Sequence, residues 1–364
     1  MKIWPVNCWY VAGFASEIDD GLVARTYLDQ PVIIWRDSDG KAAALEDRCP
    51  HRLAPLSTGR VADGTIECGY HGLRFDRSGS CVFVPGQGNT PKGTGAKAFP
   101  VSEKHTLLWI WLGPADLADE SLIPDLHWLD SPGWEVARGY HRFECDYRLI
   151  NDNLLDLSHE TYIHKHTIGN RAVADAPVMP KVIDGRVVRA HREMPDIEPP
   201  PMFAAVLGSK GNINRWQIAI YMPPGINMTE AGFHPVGSPR ESAFVHRPLH
   251  LITPETEHTS HYFWGVPRNF RLGEPDITET MRKSVFRTFD EDKALVEAQD
   301  KRLQAAGMPQ IPQLAVNVDV APVQGRRLLA AMIKREADDP RAVHPPAQLA
   351  SDEGVTMPPA QAAE

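Results

Sequence analysis

Two short loops, each with one cysteine and one histidine, constrain this chain more than any other feature. The first contains Cys49-Pro50-His51 and the second contains Cys68-Gly69-Tyr70-His71, with sixteen residues between the two pairs. Both loops are rich in proline and glycine, which favour tight backbone turns. Two thiolates and two imidazoles on such loops are a complete ligand set for a metal centre, so we predict that the loops meet in space.

The ligand pairing indicates which kind of centre the loops hold. In a Rieske [2Fe-2S] cluster, two histidines replace two cysteines on one of the two irons. A structural zinc site with two cysteines and two histidines is the alternative, but such sites usually begin with two cysteines two to four residues apart. Here each loop supplies one residue of each type. We therefore predict a Rieske cluster bound by Cys49, His51, Cys68 and His71.

Composition and charge narrow the class of protein. A chain of 364 residues has room for two domains, and its net charge of −9 disfavours binding to nucleic acid or to an anionic membrane. The sequence contains no run of 18 apolar residues and no apolar signal-peptide segment near Met1. The five cysteines, an odd and sparse set, argue against a disulfide framework. We expect a cytoplasmic protein that does not span a membrane.

Residue patterns predict an α+β fold with two domains. Residues 1–135 contain short apolar strands and turns, which indicate an all-β domain carrying both metal loops. Residues 136–336 are predicted as a second domain of strands and helices, and the Pro/Ala-rich segment 337–364 as a mobile tail. The strands and helices predicted for the second domain are 215–221, 226–231, 250–253 and 261–266 (strands), with 151–164, 276–306 and 323–335 (helices).

A second constellation lies in the predicted helix 151–164. Asp152, Asn153, Asp156 and His159 would share one face of this helix, surrounded by leucines. Buried polar groups need partners, and a metal ion is one such partner. The alternative is that these histidines are ordinary core or surface residues.

The spacing of two histidines in this stretch predicts a break in the helix. His159 and His164 are five positions apart, which on a regular helix separates them by about 140°. If both bind one ion, the helix has to loosen or end between them, around Thr161–Tyr162. A structure can test this expectation directly.

Two histidines and one carboxylate form the facial triad that binds non-haem Fe(II) and leaves positions open for O2. The run 289–292 offers Asp290, Glu291 and Asp292 within the predicted helix 276–306. Only Asp292 falls on the apolar stripe of that helix, where a carboxylate needs a strong partner. We predict Asp292 as the third ligand and interpret Asp290 and Glu291 as a charged surface run.

The order of these motifs resembles a known family. The Cys/His loops followed by Asn153-x-x-Asp156-x-x-His159-x4-His164 resemble the oxygenase component of Rieske non-haem iron oxygenases. Residues 7–12 and 252–256 extend the resemblance to the vanillate O-demethylase and dicamba monooxygenase branch. It implies an N-terminal all-β Rieske [2Fe-2S] domain, a C-terminal helix-grip catalytic domain in which an antiparallel sheet packs with helices, and a ring-shaped homotrimer.

The resemblance also implies roles and partners. His159, His164 and Asp292 would hold Fe(II), with Asn153 beside them in the family's motif. Asp156 would link a cluster histidine of a neighbouring subunit to His159, which it would hold by a hydrogen bond. The implied reaction is O-demethylation of a methoxylated aromatic acid to a phenol and formaldehyde. It uses O2 and electrons that a separate flavin- or ferredoxin-type reductase takes from NAD(P)H.

Several alternatives remain at this point. Asn227 and His250 stand in predicted strands as candidate hydrogen-bond partners of the substrate, but structural roles fit them equally well. Arg215 and Arg247 are possible anchors for a carboxylate, although an arginine in a strand is more often a surface residue. Hydroxylation of the ring or of a methyl group of another aromatic is the second candidate reaction. A Rieske electron carrier without catalysis and a zinc-stabilised binding protein are the non-enzymatic alternatives.

Overall fold

The computed structural model describes residues 3–90, 93, 95–200, 204, 211–308, 316–347 and 349. Their contacts divide the chain into two compact units. The first unit comprises Met1–Ile123, Thr253–Glu257 and Arg335–Pro345. The second comprises Pro124–Ile252, His258–Lys334 and Pro346–Glu364.

The first unit is a set of short antiparallel strands in three small sheets. Their turns are tight: Leu28 and Asp29, between two paired strands, both have positive φ angles, as the favoured two-residue hairpin turn requires. The three sheets, in spatial order, are β1 (Trp9–Phe14), β11 (Leu107–Trp111) and β10 (Val101–Lys104); β2 (Leu22–Tyr27), β3 (Gln30–Arg36), β4 (Ala42–Glu46) and β9 (Ala98–Phe99); and β5 (Arg60–Ala62), β6 (Thr65–Glu67), β7 (Arg74–Phe75) and β8 (Cys81–Phe83).

A core of large apolar side chains positions the cysteines of this unit. Trp35, Leu56 and Phe75 are fully buried and form one cluster with Cys49 and Cys68. The two thiols are therefore held on the rigid interior side of their loops, where packing leaves little freedom.

The second unit is built on an antiparallel sheet of eight strands. A 31-residue helix packs against the first strand of this sheet and carries Asp292 on its buried face. The strands are β12 (Glu135–Phe143), β13 (Met179–Ile183), β14 (Val187–Ile197), β15 (Ile213–Met222), β16 (Ile226–Pro235), β17 (Phe244–His246), β18 (Leu249–Thr256) and β19 (Thr259–Arg268). The helices are α1 (Tyr147–Leu155), α2 (Glu160–Ile163), α3 (Arg171–Asp175), α4 (Pro275–Ala305) and α5 (Val320–Asp338).

The predicted fold class is confirmed, as are the four strands and the two C-terminal helices of the second unit. The predicted boundary at residue 135 differs from the change of unit after Ile123. The mobile tail expected from residue 337 remains a prediction, and its first residues make defined contacts. Helix α5 runs to Asp338, and Ala342 is buried with its carbonyl bonded to the Asn7 side chain. Residues 350–364 lie outside the described residues.

Among the described residues, every helix is too short or too polar to cross a membrane.

Candidate metal centres and active site

The two Cys/His loops have the same backbone hydrogen bonds. The amide of Cys49 donates to the carbonyl five positions later, and its own carbonyl accepts from the amide of Leu53. Cys68 repeats both bonds, with Gly72 in the place of Leu53. Both closing residues have positive φ angles, 59° at Leu53 and 68° at Gly72. The loops are thus equivalent turns that present one cysteine and one histidine each.

The four predicted cluster ligands come together at these turns. Cys49 and Cys68 lie in the same buried cluster, and burial, with the neighbouring Cys68 adding to its effect, raises the pKa of the Cys49 thiol. The His51 and His71 rings lie 4.7 Å apart between centroids, on exposed residues. Desolvation and the charge of His51 lower the pKa of His71, which favours the neutral imidazole that binds metals. Two cysteine thiols beside two neutral imidazoles fit the ligand set of a Rieske cluster.

Close backbone packing holds the second loop in place, which makes Gly69 sensitive to substitution. A methyl group on Gly69 would stand 2.5 Å from the carbonyl oxygen of Thr58, too close without backbone movement. We expect Gly69→Ala to cost about 1–3 kcal/mol of stability and to lower the cluster content. Visible absorbance, iron per chain and thermal unfolding measure both effects. Gly88→Ala is the matched control, because its methyl group meets nothing within 4 Å. Equal cluster content in both variants would contradict the prediction.

In the second unit, His159, His164 and Asp292 come together as the sequence predicts. The Nε2 atoms of His159 and His164 lie 3.4 Å and 3.2 Å from the same oxygen, Oδ1 of Asp292. Each of the three residues offers one ligand atom, and these three atoms all lie within 4.8 Å of one another. Ligand atoms about 2.1 Å from a divalent ion stand about 3 Å from each other in an octahedral arrangement, so the spacing fits one ion.

The backbone reaches this arrangement through an early break in the helix. Helix α1 ends at Leu155, and Asp156 has non-helical angles of φ −104° and ψ 88°. A 3-10 turn over Leu157–His159 and the short helix α2 follow, and His164 comes directly after α2. The prediction of one helix over 151–164 is therefore wrong. The chain first leaves the helix at Asp156, before both histidines. The expected helix end between His159 and His164 is present, but it falls after Ile163, whereas Thr161 and Tyr162 are helical.

Neighbouring groups fix the orientation of the two histidines. Nδ1 of His159 bonds to the backbone carbonyl of Asp156, and Nδ1 of His164 lies 2.9 Å from a carboxylate oxygen of Glu291. This leaves Nε2 of each ring to face a metal, as in most metal-binding histidines. The Asn153 side chain donates to Oδ1 of Asp292 at 3.2 Å. Asn153 thus helps to position the carboxylate.

The electrostatics of the site favour a cation. Burial acts to lower the pKa of His164, but its hydrogen bonds to Asp292 and Glu291, with the charges of Asp292 and Glu160, outweigh burial and raise this pKa to about 9. The same carboxylates would attract a divalent ion. Their arrangement around two imidazole nitrogens therefore fits the predicted Fe(II) site.

Two roles inferred from the sequence need correction. Glu291 is not a surface residue: its side chain is 26% exposed and contacts His164, while the Asp290 side chain is 67% exposed. The carboxylate of Asp156 does not hold His159 within this chain, because the backbone carbonyl of Asp156 makes that contact. The Asp156 carboxylate instead accepts from the Ser158 amide and lies 3.6 Å from Arg192.

A cavity opens beside the three candidate ligands, all of which contribute to its wall. Most of its wall is apolar, which suits an aromatic ring. A small number of polar side chains interrupt this wall. They include Glu160, Arg215, Gln217, Thr229, His246 and His250.

Of the two candidate substrate contacts, His250 and Asn227, only the first belongs to the described cavity wall. His250 lines it, with Nδ1 held 2.6 Å from the Tyr262 hydroxyl, and burial lowers the pKa of His250 to about 3. Its ring is therefore neutral. For Asn227 the structure favours the structural alternative: this residue is absent from the described cavity wall, and its amide donates to the Asn151 side chain at 2.7 Å. Asn227 is a structural link between a strand and helix α1.

The two arginines considered as carboxylate anchors, Arg215 and Arg247, also differ in position. Arg215 lines the cavity and forms a buried ion pair of 3.3 Å with Glu160, whereas Arg247 pairs with Glu230 and does not belong to the described wall. Glu160 and Gln217 were not predicted as cavity residues; they are joined by hydrogen bonds across 57 positions. Their position in the cavity depends on tertiary pairing that no local pattern reveals.

Comparison with known proteins gives consistent matches to both halves of the chain. Residues 8–100 match the Rieske [2Fe-2S] domain, and residues 143–335 match the vanillate O-demethylase oxygenase C-terminal domain. The vanillate O-demethylase oxygenase subunit of Pseudomonas sp. (strain HR199 / DSM 7063) is 37% identical, over 92% of this chain and 97% of that protein.

Two further relatives bear on the chemistry. The toluene-4-sulfonate monooxygenase system iron-sulfur subunit TsaM1 of Comamonas testosteroni is 38% identical, over 91% of this chain and 97% of that protein. The crystal structure of dicamba monooxygenase with non-heme iron and dicamba superposes with a TM-score of 0.79 at 34% identity. It covers 92% of this chain and 98% of that one.

Proposed function

This chain belongs to the Rieske non-haem iron oxygenases whose catalytic half is the vanillate O-demethylase oxygenase C-terminal domain, and we propose that it removes a methyl group from a methoxylated aromatic acid. The observation that carries the proposal is the His159, His164 and Asp292 cluster on the wall of a largely apolar cavity. A cavity of this kind encloses an aromatic ring and brings one substituent to the metal ligands.

The proposed ligand roles follow from the donor sets. Cys49, His51, Cys68 and His71 would bind the [2Fe-2S] cluster. His159, His164 and Asp292 would bind Fe(II), with Asn153 and Glu291 as positioning residues. When bound, the cluster supplies electrons and the mononuclear iron supplies the oxygen-activating chemistry. The protein's own contribution is to fix the free Nε2 atoms and one carboxylate oxygen around a single point.

The proposed overall reaction balances with one O2, two electrons and two protons. One oxygen atom enters the methoxy C–H bond, the other leaves as water, and the resulting hemiacetal collapses to formaldehyde and a phenol. Neutral His250 is the proposed partner of an acceptor group on the substrate, such as its carboxylate. Its Nδ1 is engaged by Tyr262, which leaves Nε2 for that contact.

We propose a separate NAD(P)H-dependent reductase and a homotrimer as partners. The exposed His51 and His71 support this, because an exposed cluster edge can exchange electrons with another protein. Mass measurement in solution tests the trimer. The five cysteines, all free and buried, are compatible with the proposed cytoplasmic location, where thiols stay reduced.

Formaldehyde release from a panel of methoxybenzoates, with reductase, NADH and O2, tests the proposed reaction. We expect stoichiometric formaldehyde and phenol from at least one member. The panel should include toluene-4-sulfonate, because the similarity to TsaM1 favours methyl hydroxylation as the second candidate reaction. A hydroxymethyl product without any formaldehyde would replace O-demethylation. Absence of substrate-dependent O2 uptake from every compound would favour the electron carrier.

Glu291 provides a prediction about iron binding. Removing its carboxylate frees the His164 ring to rotate and to change its protonated nitrogen, so we expect Glu291→Ala to weaken iron binding about 10- to 100-fold. Glu291→Gln keeps an acceptor oxygen and should lose less. Iron titration of metal-depleted protein measures the affinity, and Asp290→Ala is the neighbouring control. Equal affinity in the Ala variants of both positions would contradict the positioning role.

A further inference from the structure

Arg192 is a buried charge on an otherwise apolar face of strand β14, and the metal-ligand sets described above do not use it. Its exposure is 1%. Because side chains alternate across a strand, Arg192 shares its face with Ala190 and Met194, which belong to one apolar cluster with Leu155 and Leu157. A guanidinium in such surroundings is costly unless an opposite charge lies close to it.

The opposite charge comes from the segment that carries the metal-binding histidines. Nη2 of Arg192 lies 3.6 Å from Oδ1 of Asp156. Burial acts to lower the pKa of Arg192, and the charge of Asp156, followed by that of Glu160, opposes this effect. Glu160 is already held by Arg215 at 3.3 Å. Asp156 is therefore the carboxylate that pairs with Arg192, three positions before His159.

This ion pair distinguishes the two oxygens of the Asp156 carboxylate. Oδ1 faces Arg192 and also accepts from the Ser158 amide at 3.0 Å. Oδ2 makes no hydrogen bond to any described residue, yet it is not enclosed, and the side chain is 24% exposed. One oxygen is thus fixed from two sides, while the other stays accessible. A carboxylate fixed through one oxygen presents its second oxygen in a defined direction.

We propose that Arg192 is a positioning residue for electron delivery, because it turns Oδ2 of Asp156 outward, toward the cluster histidine of the next subunit. The inference rests on the proposed function and its trimer, and it adds a residue of the sheet to the proposed link at Asp156. Without Arg192, only the Ser158 amide holds Oδ1, and the carboxylate can rotate about its last side-chain bond. The cluster imidazole then loses an oriented acceptor.

The reduction potential of the cluster separates positioning from a simple effect of charge, because hydrogen bonds and net charge set this potential. A nearby carboxylate disfavours the reduced cluster, which is the more negative form, so Asp156→Asn should raise the potential. Arg192→Met should raise it too, by at least about half of that shift, because the carboxylate no longer faces the imidazole. A bare positive charge acts in the opposite direction, since its removal lowers the potential.

Redox titration of the holoprotein, followed by cluster absorbance, measures the potential without reductase, substrate or O2. Arg189→Met is the matched control, because Arg189 lies on the opposite face of the same strand, and it should leave the potential unchanged. Arg192→Lys keeps the charge without the planar guanidinium and should restore at least about half of the shift. All variants should keep about three iron atoms per chain and the trimer mass. If Arg192→Met does not fold, Arg192→Gln takes its place with the same expectation.

A cycle of two substitutions assigns the shift to Asp156. In protein that also carries Asp156→Asn, Arg192→Met should give no further rise, because no carboxylate remains to be oriented. A further rise in this background would overturn the inference, as would an unchanged or lower potential in Arg192→Met alone. Loss of the third iron atom would also overturn it, because Arg192 would then serve to build the turn before His159.

These results are separable from the proposed reaction. Formaldehyde release reports O-demethylation, whereas the redox titration reports the link from Arg192 through Asp156 to the cluster. The expected shifts without formaldehyde from any compound would retain the role of Arg192 and remove the demethylase proposal. Formaldehyde release with unchanged potentials in Asp156→Asn and Arg192→Met would do the reverse.

Discussion

Asp292→Ala is expected to lose the mononuclear iron and all measurable turnover, while the visible spectrum of the cluster stays unchanged. Both metal-binding histidines face this carboxylate, and its Oδ1 lies within 3.4 Å of each Nε2. Without it, two neutral imidazoles remain, and they hold a hard divalent ion poorly. Iron content should fall from about three to about two atoms per chain, because the cluster contributes two.

The control for this variant is Asp290→Ala, two positions earlier on the same helix. Asp290 is exposed and does not contact either metal-binding histidine among its described contacts. It should keep about three iron atoms per chain and its turnover. If Asp292→Ala retained the third iron atom, the facial triad would be wrong. If it lost the cluster colour as well, the variant would have failed to fold and a conservative Asp292→Asn would take its place, with the same loss of iron expected.

Asp292 could be found from the sequence because its signal is local. It is a carboxylate on the apolar stripe of a long helix, and that conflict between charge and burial is visible in the pattern itself. The Cys/His loops are equally local, since spacing and loop composition specify the ligand set. Four strands and the long helix were also predictable, because their apolar periodicity is continuous.

The features that were missed depend on tertiary contacts or on single dihedral angles. The break at Asp156 is one residue with non-helical angles inside a leucine-rich run that favours a helix. Glu291 reaches His164 from 127 positions away, and a helical projection gives no measure of how far a side chain extends. Asn227 stands in a correctly predicted strand, but the strand pattern does not show that Asn151 would be its partner.

Asp156→Asn is expected to separate electron delivery from metal binding. Asparagine keeps the acceptor oxygen for the Ser158 amide, so the turn and the carbonyl contact to His159 should persist. The substitution removes the negative charge 3.6 Å from Arg192. If the proposed trimer places this partly exposed carboxylate beside a cluster histidine of the next subunit, an amide is a weaker partner for an imidazole N–H. Because the turn and the contact to His159 persist, both metals should remain in the variant.

The measurement that isolates this role is a single turnover. Protein with reduced cluster and bound substrate is mixed with O2, and the return of the oxidised cluster absorbance is followed without reductase. We expect the rate to fall about 10- to 100-fold in Asp156→Asn, the usual range for residues that support metal ligands. Asp152→Asn is the matched control, because the Asp152 carboxylate pairs with Arg326 at 2.6 Å.

The outcome distinguishes two roles for Asp156. Loss of the mononuclear iron would mean that its main function is to shape the turn before His159. An unchanged rate with both metals present would remove the proposed link between subunits. The third possible result is a slow rate in a protein that keeps its full metal content and remains a trimer. Only a role in electron transfer produces this result, because a structural defect would reduce iron content or assembly first.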